Sequence, residues 1–485
     1  MTVGSPRALP PGFLGFNGEA ITAPPGLWRS PAFVDAVARL RPQALRLFGG
    51  TTANFWDWRA GTFVSTGARP GAPPVPAALA AARAAVSIPL SDWARLVRAT
   101  GAVPVFDLNL VTSTLPEQLA MLRAAAALAL PIERIELGNE LYLPRYAQRF
   151  SSGRDYGQEA TRWIAALKAR FPGAQVAAVG YTPVDVPGQH PDAREAAWNA
   201  QMLGALRGED AITFHPYFGS GLGLAERPAG PRAAATALAA PTRATQTLRA
   251  GGLSALPPGV GAWLTEWNLF DRRAAVHGTW TQGLQVASFA LELLGEPRVT
   301  QADEHALVAS GPFGALFADA NGLGFGAPPT ALVARAGGFY LPVRRPPPTP
   351  PLGLSASGVA MREVLAFLHG ATQVQGLAVA SAAGPGTVTG PGPDSGGGVS
   401  GAVATGGRGR AVLIVNLGSA PLAVRLPGPP LTRTSKTPAS AASFIELNAE
   451  PATPVAGERS LRRSAGRLAA ASLVLAPYSL TRVTE

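Results

Sequence analysis

Arg134-Ile-Glu-Leu-Gly-Asn-Glu-Leu-Tyr142 is a short alternating run of apolar residues that stops at a glycine and delivers Asn139-Glu140. Gly261-Ala-Trp-Leu-Thr-Glu-Trp-Asn-Leu269 repeats the pattern 120-odd residues later, with Glu266 just past an apolar run. Each stretch reads as a buried β-strand whose C-terminal end carries a carboxylate. In a (β/α)₈ barrel, the loops that follow the strands hold the chemistry, so a Glu at such a point is placed to act.

Working outward, six more strand-like runs flank these two. Together the eight lie at 13–17, 44–48, 103–109, 134–137, 175–179, 211–215, 262–265 and 299–303. Helix-like, Ala-rich stretches separate them, among them 91–100, 115–128, 156–170, 194–206 and 283–294. Eight β–α units over about 300 residues suit a (β/α)₈ (TIM) barrel. An open doubly wound sheet also alternates, but no Gly-x-Gly-x-x-Gly follows the first strand. A last barrel helix is predicted at 357–369. Beyond about 371 come short β-rich runs at 372–379, 411–417, 422–426, 443–447, 473–475 and 478–483, the spacing of a β-sandwich. The predicted division is thus a catalytic barrel over 1–370 and a sandwich over 371–485. The Gly- and Pro-rich segments 381–409 and 429–442 read as disordered loops.

Composition narrows the function classes. The chain has 485 residues, 47% hydrophobic and 15% charged, which is ample for a large core and excludes global disorder. No stretch is long and apolar enough for a membrane span. The formal charge is +11, and all but Lys168 and Lys436 of the 41 basic residues are arginines. They are scattered, without the basic runs and interleaved aromatics of a nucleic-acid binder. The excess reflects either a GC-rich coding sequence or a taste for anionic substrates such as uronic-acid polymers. There are no cysteines and five histidines, with no His-Glu-x-x-His, so neither disulfides nor a zinc-hydrolase site is expected. The first residues lack an apolar signal core, while the early Phe13–Phe16 run leaves room for a removed leader, so an extracellular or secretory setting is suggested.

Glycosidic cleavage requires one carboxylic acid to protonate the leaving oxygen and one carboxylate across the anomeric carbon. Glu140 and Glu266, each with an Asn beside it, fit those parts without metal or cofactor. The pair resembles the acid/base and nucleophile of the glycoside hydrolase clan (clan A) that uses strands four and seven of this barrel. Within it, Leu45-Arg-Leu-Phe-Gly-Gly-Thr-Thr-Ala-Asn-Phe55, Val105-Phe-Asp-Leu-Asn-Leu110, Glu136-Leu-Gly-Asn-Glu140 and Ile212-Thr-Phe-His-Pro-Tyr217 resemble the heparanase and β-glucuronidase family, glycoside hydrolase family 79. Val412-Leu-Ile-Val-Asn-Leu417 and Leu475-Ala-Pro-Tyr-Ser-Leu480 resemble its C-terminal sandwich. Thr265-Glu-Trp-Asn268 and Trp56-Asp-Trp58 resemble instead the related α-L-arabinofuranosidases.

The resemblance implies a retaining hydrolase acting on an oligo- or polysaccharide. A uronic-acid-containing glycan is the first substrate expected and an arabinofuranoside the second, with a catalytically silent glycan-binding protein as the alternative of another class. It also implies supporting roles. Arg46 is to hydrogen-bond the nucleophile, and Asn139 the sugar 2-hydroxyl. Tyr217 is to donate to Glu266 with His215 beside it, and Asn17 and Glu19 are to reach the terminal subsite. Trp56, Trp58, Trp267 and Trp280 are each either a sugar platform or ordinary core, and Asp107 reads as a polar residue of the barrel interior. Gly49-Gly50, lacking Gly-Lys-Ser/Thr, suits close backbone passage rather than a phosphate cradle. Arg59, Arg145 and Arg149 are candidates to meet a substrate carboxylate.

Overall fold

A computed structural model of the protein describes residues 1–18, 26–66, 69–183, 190–271, 274–308, 314–317, 334–336, 339–341, 353–378, 398–427, 442–468 and 472–485. Eight parallel strands close into a barrel: β1 (Leu14–Asn17), β2 (Ala44–Leu47), β3 (Val103–Asp107), β4 (Arg134–Glu136), β5 (Gln175–Val179), β6 (Ala211–Thr213), β7 (Gly261–Trp267) and β8 (Val299–His305). Every predicted barrel strand is present, in order and within a few residues of its expected ends. The intervening helices begin where the chain offers caps. The helix Gly153–Arg170 starts under the Ser152 side chain, and Ala193–Ala205 starts under an Asp192/Glu195 capping box.

The two-residue period of a strand sends alternate side chains into the barrel. At its lower level, Ala44, Val105, Ala177, Ala211 and Trp263 form one cluster, in which four small or medium side chains make room for a single indole. The Arg134 guanidinium lies 5.7 Å from the Trp263 ring centre and donates to the Gly12 carbonyl and to Gln301. Two residues further along the same strands, the inward positions become Arg46, Glu136 and Thr265. The barrel therefore packs small side chains and one indole against the buried Arg134 below, and gathers carboxylates around Arg46 at its mouth.

β7 breaks the alternation usefully. Its pairing with β8 shifts register between Leu264 and Trp267. A bulge of this kind re-aims a side chain. Thr265 and Glu266, consecutive in sequence, thus both bond to groups inside the barrel.

The C-terminal part is a sheet built from β9 (Ala371–Ala378), β10 (Val399–Gly406), β11 (Gly409–Asn416), β13 (Ser443–Asn448), β14 (Arg462–Arg467) and β16 (Ser479–Thr484). A two-stranded layer of β12 (Leu422–Arg425) and β15 (Ser472–Leu475) adds Val424 and Leu475 to a small core with Val403, Val412, Ile414 and Val483. Two short strands of the N-terminus, Thr2–Val3 and Arg7–Ala8, pair with β9, so the first residues belong to this sheet and not to the barrel.

One expectation is corrected here. The composition of segment 381–409 predicts a disordered loop, yet β10 lies inside it, paired along its length with β11 and from Ala402 to Gly406 with β9. Ala402, Val403 and Ala404 are buried, and the barrel helix Trp280–Leu294 packs against this strand. Its small residues suit that close approach. Residues 381–397 and 429–441 lie outside the described residues. The sheet is tied to the barrel by Trp280 Nε1 donating to the Tyr478 carbonyl at 2.8 Å and by an Arg482–Glu363 pair at 3.0 Å. No described helix is long and apolar enough to cross a membrane.

Candidate active site

Arg46, fully buried at the end of β2, organises the barrel mouth. Its Nε donates to Glu136 at 2.6 Å, Nη1 to Glu266 Oε1 at 2.8 Å, and Nη2 to Asn139 Oδ1 at 2.8 Å; Asp107 Oδ2 lies 3.0 Å from Nη2. A planar guanidinium fork is the one side chain able to meet so many acceptors from different strands. One cation among three carboxylates leaves an excess of negative charge. Burial, together with the charges of Glu136 and Glu266, pushes Asp107 well above the usual carboxylate range despite Arg46. Asp107 lies in the barrel interior, as expected.

Glu266 is the opposite case. Burial works to raise its pKa, but His215, His305, Arg46 and the Tyr217 hydrogen bond outweigh it and hold the carboxyl at about 2. Tyr217 donates to Oε2 at 2.7 Å, while Arg46 occupies Oε1. Burial and the Glu266 charge push the Tyr217 phenol well up, so it stays a donor. His215 Nδ1 and His305 Nδ1 lie 3.7 and 3.9 Å from Oε2. Burial pushes His305 down, and Asn17 Nδ2 contacts its Nδ1 at 2.8 Å.

Glu140 sits opposite, with 21% of its side chain open to solvent. It follows Gly138 (φ 88°) and has φ 49° itself, the left-handed region that side-chain-bearing residues seldom adopt and that is often found at functional sites. The turn is clamped from the β2 side: Asn54 accepts from the Asn139 amide at 3.2 Å and donates to the Asn139 carbonyl at 2.8 Å. Arg194 holds the carbonyls of Leu141 and Tyr142 from the far side. Tyr142 donates to Glu140 Oε1 at 3.1 Å, and His215 Nδ1 lies 3.1 Å from that oxygen. Asn139 Nδ2 is buried without a protein partner, a donor left for something in the cleft.

Donor atoms of Glu140, His215 and Glu266 lie within 4.8 Å of one another. Among the described residues this is the group of His, Asp and Glu compact enough to converge on one ion. Both oxygens of Glu266 already accept hydrogen bonds from Arg46 and Tyr217, so a cation there would have to displace a donor.

The sequence-predicted residues fare differently. Glu140, Glu266, Asn139, Arg46, His215 and Tyr217 converge, and Asn17 reaches the group through His305. Glu19 lies outside the described residues. Trp267 does not line the cleft: it is fully buried and packs edge-on against Phe289, 5.4 Å between ring centres. Trp280 is likewise interior, and Trp56 is buried between Phe48 and Phe63. Arg149 is paired with Glu159 and Arg59 with Glu117 at 3.1 Å, so neither guanidinium is uncommitted. Residues that sequence reasoning passed over are Glu136, Thr265, Asn54 and His305. The first two are inward-facing polar positions on otherwise apolar strands, and that alternation was a usable signal.

No protein-family model matches the chain, and no curated protein matches it in sequence. Solved structures do. An α-L-arabinofuranosidase of family 51 from Bifidobacterium longum superimposes with a TM-score of 0.67 at 15% identity, covering 99% of this chain and 97% of the other. A thermostable family 51 α-L-arabinofuranosidase from Thermotoga petrophila RKU-1 gives 0.63 at 15% identity, covering 99% and 98%. This chain has their fold. A 4-O-α-L-rhamnosyl-β-D-glucuronidase from Fusarium oxysporum 12S gives 0.57 at 14% identity, covering 100% of this chain and 97% of that one. The likeness extends over barrel and sandwich together, and at such identities it speaks for architecture alone.

Proposed function

We propose that the protein is a retaining glycoside hydrolase, with Glu140 as general acid/base and Glu266 as nucleophile. The observation that carries this reading is the separation of the two carboxylates, whose nearest oxygens are within 4.8 Å. Retaining enzymes place their carboxyl groups about 5–5.5 Å apart, whereas inverting ones need about 6.5–9.5 Å to admit a water. Glu266, kept ionised, attacks the anomeric carbon while Glu140 gives its proton to the departing oxygen. Glu140 then removes a proton from water, which cleaves the glycosyl ester and returns both groups to their starting state. Asn139 Nδ2, buried and unpartnered, is placed to bond the sugar 2-hydroxyl. A silent glycan-binding protein would have no use for a carboxylate held at about 2 by so many donors.

α-L-Arabinofuranosides are the first substrate class to assay. Thr265-Glu-Trp-Asn268 already pointed that way, and the pairing of Arg59 and Arg149 removes two of the cations offered for a uronate. The test is a panel of nitrophenyl α-L-arabinofuranoside, β-glucuronide and β-xyloside. Glu266→Gln should abolish turnover on whichever is cleaved. Glu140→Ala should lose far more activity on poor leaving groups than on activated aryl ones. Equal losses on both substrate types in both variants would refute the assigned roles.

A further inference from the structure

His215 touches both proposed catalytic carboxylates, and its hydrogen bonds fix which nitrogen carries the proton. The chain of partners begins at Arg46, which is ion-paired to Glu136 Oε2 at 2.6 Å. The other oxygen of Glu136 accepts from Thr265 Oγ1 at 3.0 Å. A hydroxyl has one proton to give, and here it is given to Glu136. Thr265 can therefore only accept from His215 Nε2, 3.1 Å away, which makes Nε2 a donor. In the neutral imidazole, Nδ1 is then a bare lone pair, and it lies 3.1 Å from Glu140 Oε1.

The geometry points to His215 as a positioning residue that holds one proton in common with Glu140, because Glu136 and Thr265 fix its imidazole with Nε2 as donor to Thr265 and Nδ1 turned toward that carboxyl. A lone pair facing an oxygen at this distance is favourable only with a proton between them. That proton sits on Glu140 Oε1, or on Nδ1 as imidazolium against carboxylate; either way the pair shares one. When Glu140 yields it to the leaving oxygen, the new carboxylate faces the Nδ1 lone pair, which makes it a stronger base for the incoming water. The proton taken from water restores the pair. The same relay thus favours Glu140 as acid in the first step and as base in the second.

Other groups bear on this pair. Glu266 favours a proton on His215 and Arg46 opposes it, while Glu195 feels the Glu140 charge at longer range. His305 and the phenols of Tyr142, Tyr146 and Tyr217 complete the surroundings; burial works against imidazolium, but the charges of Glu266 and Glu140 and the Glu140 hydrogen bond outweigh it and raise the His215 pKa.

The proposal rests on the glycosidase reading for its kinetic test but not for its spectroscopic one. Thr265→Val removes the acceptor at Nε2 and frees the imidazole to turn an Nδ1–H toward the Glu140 carboxylate. A hydrogen bond to the charged form lowers a pKa. The alkaline limb of kcat/KM against pH should therefore move down by about one unit, and Thr265→Ser should restore it. Independently, ¹⁵N NMR of the whole protein labelled at its histidines, with His215 assigned through a His215→Asn variant, should show Nε2 protonated in wild type and an Nδ1–H form in Thr265→Val. A wild-type His215 carrying Nδ1–H with bare Nε2 would overturn the proposal, as would an alkaline limb unmoved by Thr265→Val. Should no glycoside be cleaved at all, the functional reading fails while the NMR still decides the tautomer.

Discussion

Replacing Arg46 by Met is the most informative single perturbation of the barrel mouth. The thioether is of similar length and neutral, so the change removes charge and donors with little change in volume. Wild-type Arg46 meets Glu136, Glu266 and Asp107 within 3.0 Å, all buried. Two unit charges about 4 Å apart attract by roughly 4 kcal/mol at an effective dielectric of about 20, which corresponds to about 3 pKa units. His215 and Tyr217 stay in place beside Glu266, so a rise of roughly 1–2 units in its pKa is expected. Wild-type Glu266, held at about 2, contributes stability at pH values above its unfolded pKa and loses it only as pH falls toward 2. In Arg46→Met the Glu266 carboxyl moves back toward its unfolded pKa and loses much of its stabilising contribution, while Asp107, already above the usual carboxylate range, is driven higher; the variant therefore suffers most at neutral pH and is relieved on acidification. Removing one partner of a buried pair costs about 3–5 kcal/mol, and urea unfolding should show a loss of that order at pH 7 that shrinks at pH 5. The acidic limb of kcat/KM should climb in parallel. A variant as stable as wild type at pH 7, with an unshifted acidic limb, would show that Arg46 does not set the charge state of Glu266.

Two further predictions are structural. At Gly49 the backbone has φ 47°, and a Cβ there would overlap Asn17 Oδ1 and the Gly18 carbonyl. Gly49→Ala should therefore cost about 1–3 kcal/mol through strain and reduce activity by displacing Asn17 from His305; unchanged melting and turnover would contradict this. Replacing residues 399–406 with a Gly-Ser linker takes β10 out of the middle of the C-terminal sheet, and should lower the melting temperature sharply or abolish soluble expression, as followed by calorimetry. A variant that melts like wild type would mean that this strand contributes nothing to the packing of the sheet on the helix Trp280–Leu294.

The barrel was legible because each of its strands is apolar, short and bounded by turn residues, and because the loop ends put Glu140 and Glu266 where chemistry sits in such a barrel. Arg46 and Tyr217 were legible through resemblance. What local sequence does not carry is partnership across the barrel. Glu136 and Thr265 stood inside quoted motifs, yet their bond to each other spans strands four and seven, and the bulge that brings Glu266 in beside Thr265 shows only in the closed sheet. Asn54 clamps a turn 85 residues away. β10 was misread for the opposite reason: its Gly, Ala and Ser residues look like a linker by composition, while their small size is what lets a barrel helix lie against the sheet. Trp267 had two readings of equal standing, and its burial against Phe289 selects the core.

The central claim is double displacement at the anomeric carbon, and the product's configuration tests it most directly. Once an aryl glycoside is found to turn over, ¹H NMR of the reaction in its first minutes reports the anomer released before mutarotation. With Glu140 and Glu266 within 4.8 Å, the first-formed sugar is predicted to keep the substrate's anomeric configuration. Release of the opposite anomer would mean that water attacks directly, and that Glu266 is not the nucleophile.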